Sequence, residues 1–133
     1  MDTSPAGMIA RLDASLARVG EDVVLRRYTQ GPNGARIPFA VTVRAQVRGY
    51  SPDELIGGIT QQDSRVILSP TQIEAAQWPG PATGPEAGDR RVPRKGDQMV
   101  IAGIPRTVEA ATGIYVAGRL VRIEARVLGG PMG

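Results

Sequence analysis

The stretch PRKGDQMVIAGIPRTVEAATGIYVAGRLVRIEARVL, residues 93–128, decides the fold of this chain. It contains four short runs in which apolar and polar residues alternate, each closed by a break that contains glycine: 98–102, 106–111, 114–116 and 119–128. Alternation with a period of two, bounded by Gly and Pro, is typical of antiparallel strands. In the last run the apolar residues share one face and the charged residues the other: Val121, Ile123, Ala125 and Val127 against Arg122, Glu124 and Arg126. We therefore predict a C-terminal meander that forms half of a small β-barrel or sandwich.

The preceding part of the chain adds strands of the same kind. We predict strands at 22–28 and from Pro38 onward, and either two short strands at 59–63 and 65–68 or one bent strand over both ranges. A turn is predicted at 30–34, where Pro-Asn-Gly supplies positive φ. The run from Pro38 has the longest alternation, with a predicted core face of Phe39, Val41, Val43, Ala45 and Val47. Arg44 and Arg48 lie on its other face. The predicted fold class is mainly β: a small antiparallel β-barrel or sandwich with an N-terminal α-helix and two long exposed loops.

Residues 1–20 form the predicted N-terminal helix or arm. An apolar stripe recurs at helical spacing: Met8, Ile9, Leu12, Leu16 and Val19. Thr3 or Ser4 can cap the helix, and Gly20 can end it. Two interpretations of the stripe stay open. The helix packs on its own barrel, or it is an arm whose apolar face contacts a neighbouring subunit or ring.

Two segments interrupt the strands and form the candidate loops. Large apolar and acidic residues fall in 49–58, at Tyr50, Asp53, Glu54, Leu55 and Ile56, and they either pack on the barrel or contact a partner. Residues 79–96 are rich in Pro and Gly and are predicted to be extended or mobile. They end in a basic cluster formed by Arg90, Arg91, Arg94 and Lys95. This cluster is either the solvent-exposed tip of the loop, or it contacts DNA phosphate or an acidic patch on another subunit. Trp78, just before this segment, is expected to close one end of the barrel.

The composition argues against several classes of functional site. The 133 residues suit one domain at 21–128, followed by a frayed tail at 129–133. The chain has no Cys and no His, which removes disulfides, histidine bases and ordinary zinc sites. No phosphate-binding or nucleophile motif is present either, so we expect no enzyme, no cofactor and no metal. The net charge of +3 permits contact with nucleic acid without requiring it. No signal peptide or membrane span is expected, and synthesis in the cytoplasm is the default.

Several segments in order resemble one family. The segments on which the resemblance rests are VRGYSPDEL at 47–55, GITQQD at 58–63, RVILS at 65–69, PRKGD at 93–97 and RLVRIEARV at 119–127. Together they are similar to the head-completion, or head–tail joining, proteins of tailed bacteriophages and prophage-like particles, the class called stoppers. The resemblance covers roughly 20–128, and its motifs are structural rather than catalytic.

The resemblance implies a structural connector. Such a protein forms a homo-oligomeric ring, of six or twelve copies, below the portal and adaptor in the neck of the virion. The ring retains packaged double-stranded DNA in its channel and offers the attachment surface for the tail terminator or tail, with no membrane partner. It implies a virion protein made in the cytoplasm of a bacterial host, belonging to a virus or to a gene transfer agent.

Within that ring, the expected gate toward the channel is formed by Tyr50, Asp53, Glu54, Leu55 and Ile56. The expected contacts with neighbouring subunits or rings are Met8, Ile9, Leu12, Leu16, Arg90, Arg91, Arg94 and Lys95. The alternatives are another neck or tail component, such as the adaptor or tail terminator, and a cellular β-barrel module that binds nucleic acid or protein.

Overall fold

The computed structural model describes residues 4–49, 63–80 and 88–129. In chain order these residues form α1 (Pro5–Val19), β1 (Glu21–Gln30), β2 (Arg36–Gly49), β3 (Ser64–Leu68), α2 (Thr71–Ala75), β4 (Gln98–Ile101), β5 (Ile104–Val116) and β6 (Arg119–Val127). All strand pairs are antiparallel, and they close a barrel in the order β1-β2-β3-β6-β5-β4, with β4 pairing back onto β1. The predicted fold class, a mainly β barrel with an N-terminal helix, is confirmed. Residues 59–62 of a predicted strand, residues 50–58 of the first long loop and residues 81–87 of the second lie outside the described residues.

Two tight turns connect the C-terminal strands. Ala102 and Gly103 join β4 to β5 with φ of 51° and 80°, and Ala117 and Gly118 join β5 to β6 with φ of 50° and 79°. Two successive residues with positive φ are typical of the two-residue hairpin turn whose twist matches that of the strands. The turn at Ala117 and Gly118 was therefore correctly predicted from the sequence. The break predicted at 103–105 is a turn at Ala102 and Gly103, and Ile104 and Pro105 already belong to β5.

The break predicted at Gly113 is wrong. The runs 106–111 and 114–116 form one strand, β5, which pairs with β6 on both sides of Gly113. A side chain at Gly113 would have its Cβ 2.9 Å from both Leu120 and Val92, so this glycine allows close packing inside a strand. Register shifts near Val108 and Ile114 bend β5 along the barrel without interrupting it.

The barrel interior is filled by the apolar faces that alternation predicts. Buried side chains come from every strand: Val23 and Leu25, Val43 and Ala45, Val66 and Leu68, Met99 and Ile101, Val108, and Leu120, Ile123, Ala125 and Val127. One prediction on β6 needs correction. The register shift beside Ile114 places Leu120 in the core, whereas Val121 lies beside Met8 and Leu12 of α1.

Helix α1 packs on the barrel of its own chain, against β2 and β6. Ser4 begins it, because its Oγ accepts a hydrogen bond from the Gly7 amide at 3.1 Å. Ile9 and Leu16 are buried beneath it. Arg44 of β2 holds the last turn, donating from Nε to the Leu16 carbonyl at 3.0 Å and from Nη2 to the Ala17 carbonyl at 3.3 Å. The helix is therefore part of the folded unit.

Candidate functional site

One end of the barrel is closed by a buried ion pair. The alternation that buries Val23 and Leu25 on β1 also turns Arg27 inward, where it meets Asp97 at the start of β4. Arg27 Nε lies 3.0 Å from Asp97 Oδ1, and Arg27 Nη2 lies 2.8 Å from Oδ2. The two side chains are 8% and 7% exposed, so the pair is shielded from water. A charge in such a place is stable only when it is fully hydrogen-bonded.

The guanidinium of Arg27 connects this pair to the surrounding chain. It donates to the carbonyls of Arg90 and Val92 at 3.2 and 3.3 Å, and its carbon lies 4.6 Å from the centre of the Trp78 ring. Trp78 is 4% exposed and donates from Nε1 to the Phe39 carbonyl at 2.8 Å. We call these residues, Arg27, Trp78 and Asp97 with the backbone they bind, the end plug. The expectation that Trp78 closes one end of the barrel agrees with this arrangement.

A second polar network lies outside the end plug. Arg91 binds Asp89 through Nε at 3.0 Å and Nη2 at 2.7 Å, and it also pairs with Glu74 of α2. Tyr115 of β5 donates its hydroxyl proton to Asp89 at 2.9 Å. Hydrogen bonding from Arg91 lowers the pKa of Asp89 to about 2, although partial burial opposes the shift.

The two partners of Asp89 shift in the opposite direction. The pKa of Tyr115 is raised, chiefly by desolvation and next by the hydrogen bond to the Asp89 carboxylate. The pKa of Arg91 is raised by its hydrogen bond to Asp89. The pKa shifts of Asp89, Arg91 and Tyr115 therefore hold these three groups in their ordinary charge states near neutral pH. This stabilises a surface contact between α2, residues 89–91 and β5, and it provides no acid or base poised for catalysis.

The four residues of the predicted basic cluster lie in different environments. Arg91 is engaged as described, and the backbone amide of Arg94 donates to Asp97 Oδ2 at 2.8 Å. Arg90 and Arg94 are half-buried. Lys95 has 76% of its side chain exposed and lies 3.5 Å from Glu109 Oε1. A mobile solvated tip is therefore the wrong description of residues 88–96, which are held by the end plug, and Lys95 alone of these four is exposed.

The other predicted contact residues lie on α1. Ile9 and Leu16 are buried on the barrel of their own chain, which corrects the expectation that they meet a neighbour directly. Met8 and Leu12 are half-buried and line a groove of about 330 Å³ together with Ile114 and Val121. Met8, Leu12 and Val19, the last of which is 53% exposed, are the stripe residues that remain accessible at the surface.

The predicted gate residues, Tyr50, Asp53, Glu54, Leu55 and Ile56, lie outside the described residues. The flanking positions are described. Gly49 ends β2 opposite Ser64, and Asp63 precedes β3. Asp63 is buried, accepts a hydrogen bond from the Gly129 amide at 3.2 Å and pairs with Arg126 at 3.1 Å. The chain between Gly49 and Asp63 therefore begins and ends at one place on the barrel.

Next to that place, three arginines form a row across adjacent strands. Arg48 of β2 is directly opposite Arg65 of β3, and Arg65 is directly opposite Arg126 of β6. The sequence alternation indicated outward arginines on β2 and β6. It gave no signal that the three are neighbours, because the register between strands far apart in the chain is set by tertiary packing.

The described residues contain neither a cluster that could hold a metal ion nor a helix that could span a membrane. Among residues 4–49, 63–80 and 88–129, no group of three or more acidic side chains lies close enough to hold a metal ion. Neither helix in that part of the chain is long and apolar enough to cross a membrane.

Comparison with known proteins adds no relative. No protein-family model matches the chain, and a search of curated protein sequences finds no significant similarity.

Proposed function

We propose that this protein is a structural head–tail connector of the stopper class, from a tailed bacteriophage or a phage-like particle. It forms a ring below the portal and adaptor, retains packaged DNA and offers the attachment surface for the tail. The closed barrel supports the proposal because it offers separate surfaces for contacts on several sides.

The observation that carries the proposal is where the resembling segments lie. The segment at 65–69 covers β3 from Arg65 onward, the segment at 119–127 is β6, and the segment from Val47 covers the end of β2. These three strands are adjacent in the barrel. The segment at 93–97 belongs to the end plug. The described parts of these segments thus lie on one continuous face and at the closure of one end, which supports the resemblance as a likeness of a folded unit. Residues 50–55 and 58–62 of the segments lie outside the described residues.

The test is deletion of the gene in its source, followed by electron microscopy of the particles. We expect tailless heads, empty or leaking DNA, beside finished free tails, and normal particles after complementation with the wild-type gene. Normal particles without complementation would contradict the proposal. Heads that carry DNA stably but lack tails would favour the alternative that the chain is another neck component.

A second complementation tests the gate. A variant that lacks residues 52–56 is expected to fold and assemble but to lose DNA from the heads. The matched control is Arg119→Ala, which removes an exposed arginine at the first position of β6 and is expected to restore particles fully. Full DNA retention by the deletion variant would remove this segment from the gate.

The second candidate function is a cellular β-barrel module that binds nucleic acid. The arginine row on β2, β3 and β6 favours it, since such a row suits phosphate contact. The two candidate functions predict different affinities for free DNA. A connector is expected to bind free DNA weakly and without sequence preference, whereas a dedicated module is expected to bind tightly with a steep dependence on salt.

A further inference from the structure

The outward side chains of β1 and of the strands beside it form a sheet surface. On β1, the alternation that buries Val23, Leu25 and Arg27 turns the residues between and before them away from the core. Strand pairing places β2 on one side of them and β4, followed by β5, on the other. We call this surface the β1 face: Asp22, Val24 and Arg26 of β1, Ala40, Thr42 and Arg44 of β2, Gln98 and Val100 of β4, and Pro105 and Thr107 of β5. Helices α1 and α2 make their main contacts with β2 and β6.

The middle row of the β1 face carries no charge. It crosses four strands, because the register pairs Thr42 with Val24, Val24 with Val100, and Val100 with Pro105. Val24 and Val100 are half-buried, and Thr42 and Pro105 are exposed. The centre of a protein interface is depleted of charged residues, whereas nucleic-acid interfaces are polar and strongly positive. The middle row therefore fits a protein partner.

Opposite charges lie at equal distances on the two sides of this row. Asp22 comes two residues before Val24 on β1 and Arg26 two residues after it, so each lies about 7 Å from the row. Asp22 is 73% exposed, and its contact with Arg44 is long, at 3.3 Å. Exposed pairs of this kind are weak, and a carboxylate accepts several hydrogen bonds at once. The contact with Arg44 therefore does not prevent a second contact on another molecule.

Arg26, on the other side of the row, is held by neutral groups. Its Nη1 donates to the Tyr28 hydroxyl at 3.3 Å and to Gln98 Oε1 at 3.5 Å. These contacts orient the guanidinium without neutralising its charge. A carboxylate that approaches from a second molecule can therefore form a charge-assisted hydrogen bond with it.

We propose that two copies of this chain pair through their β1 faces about a two-fold axis that crosses the strands at Val24. Such an axis sets the two β1 strands antiparallel, so each residue of the middle row faces its own counterpart. Arg26 then faces Asp22 of the second copy, and Asp22 faces Arg26, because a two-fold contact is reciprocal. Arg44, in the row of Asp22, faces the small exposed Ala40. The charge pattern of the face is thus complementary to itself, which a second copy satisfies.

The size of the β1 face sets the strength of this contact. Four strands spaced by about 4.8 Å and the five residues from Asp22 to Arg26 give, with their side chains, about 300–500 Å² per copy. A stable specific interface buries about 800 Å² per partner. The dimer is therefore weak, with a Kd on the order of 10–100 µM.

The inference goes beyond the proposed function and does not rest on it. A two-fold contact joins two copies and no more, so this contact cannot build a ring of six or twelve. The dimer is a form of the free chain, and a connector would exchange this contact for ring contacts on assembly.

The experiment is sedimentation velocity of the full chain at about 5–500 µM in about 50 mM NaCl, a range that spans the expected Kd at low charge screening. We expect the mass to rise from 14.1 kDa toward twice that value. Asp22→Arg and Arg26→Asp each place two like-charged contacts in the dimer, so each is expected to weaken pairing by at least about 30-fold. An equimolar mixture of these two variants restores both opposite-charge contacts and is expected to pair as wild type does.

A second pair of variants tests the position of the axis. Val24 faces its own counterpart, so Val24→Asp and Val24→Arg each place like charges in contact and are expected to abolish the dimer, whereas their mixture is expected to pair. The matched control is Arg119→Asp, a charge reversal at an exposed position of β6 outside the β1 face, which is expected to keep wild-type pairing. Circular dichroism melts check folding, and a variant that pairs in a mixture is folded.

Three results would overturn the proposal. The first is a wild type that stays monomeric up to about 1 mM, well above the expected Kd. The second is a dimer that Val24→Asp leaves intact, because the contact would then lie elsewhere. The third is a mixture of Asp22→Arg and Arg26→Asp that stays monomeric, because the face would then not be complementary to itself. A monomer that binds a labelled DNA duplex through Arg26 would likewise replace the second copy by nucleic acid.

The outcome separates this proposal from the proposed function. Pairing through the β1 face, together with normal particles after gene deletion, would support the dimer and reject the connector. Tailless heads, together with a chain that stays monomeric, would support the connector and reject the dimer.

Discussion

Replacing Arg27 with methionine tests whether the end plug holds the barrel together. Methionine keeps an apolar stem of similar length but leaves the carboxylate of Asp97 buried without its partner. The pair is 8% and 7% exposed, and the guanidinium also donates to the carbonyls of Arg90 and Val92. Removing one member of a buried pair costs about 3–5 kcal/mol. That is a large part of the 5–15 kcal/mol or so by which a typical domain is stable.

The assay is urea unfolding of wild type and variant, followed by circular dichroism. We expect a loss of about 3–5 kcal/mol in the free energy of unfolding and a melting temperature lower by about 10 °C or more. The control is Arg26→Ala on the same strand. Arg26 lies on the outer face, with long hydrogen bonds of 3.3 Å to Tyr28 and 3.5 Å to Gln98, so its loss is expected to cost under about 1 kcal/mol.

A double variant separates the buried charge from lost packing. Arg27→Met combined with Asp97→Leu leaves no unpaired charge, and replacement of a whole buried pair by apolar residues is often nearly neutral. We expect the double variant to recover most of the stability lost by Arg27→Met. The reasoning is refuted if Arg27→Met costs no more than Arg26→Ala, or if the double variant is less stable than Arg27→Met by the full cost of a second independent loss.

Three further predictions address the strands, a turn and the outer network. Ile123→Asp is expected to unfold the barrel, because it buries an unpaired charge in the core; an unchanged melting curve would contradict the facing of β6. Ala117→Asn is expected to stabilise the protein by about 0.5–1 kcal/mol, since asparagine adopts the positive φ of 50° more readily than alanine; equal or lower stability in urea would contradict this. Asp89 has a pKa in the folded state of about 2, below its ordinary 3.8, so its stabilising effect is fully present above pH 3.8 and is lost as the pH falls through 2. The stability difference between wild type and Asp89→Asn is therefore expected to be at most about 2 kcal/mol near neutral pH and to shrink below pH 3.8; a difference independent of pH would refute it.

The parts of the fold that could be predicted are those that follow from local pattern. The alternation in β6 placed Ile123, Ala125 and Val127 in the core because a period of two depends on the strand alone. The error at Gly113 arose because a glycine between two apolar runs has the same sequence signature in a turn and inside a closely packed strand. A register shift, which moved Val121 out of the barrel interior, likewise leaves no local signal.

The site depends on pairs that are distant in the chain. Arg27 follows Val23 and Leu25 in the alternation of β1, so the sequence pattern indicated that this charged side chain faces the barrel interior. The sequence did not indicate its partner, because Asp97 follows 70 residues later. Within the basic cluster, the sequence could not separate Arg91, which Asp89 and Glu74 bind, from the exposed Lys95. The sequence shows which residues are charged, but the tertiary structure determines which of these residues form ion pairs with each other.

The end plug and the arginine row lie toward opposite ends of the barrel. On β2, the residue opposite Arg27 is Phe39, and Arg48 lies nine residues further along, a distance of about 30 Å for an extended strand. Effects of substitutions this far apart, with no shared partner, are expected to add. The loss of unfolding free energy in the double variant Arg27→Met/Arg48→Ala, measured in urea, should therefore equal the sum of the losses in the two single variants to within about 0.5 kcal/mol. A deviation above about 1 kcal/mol would show that the two ends are coupled and would contradict their independence.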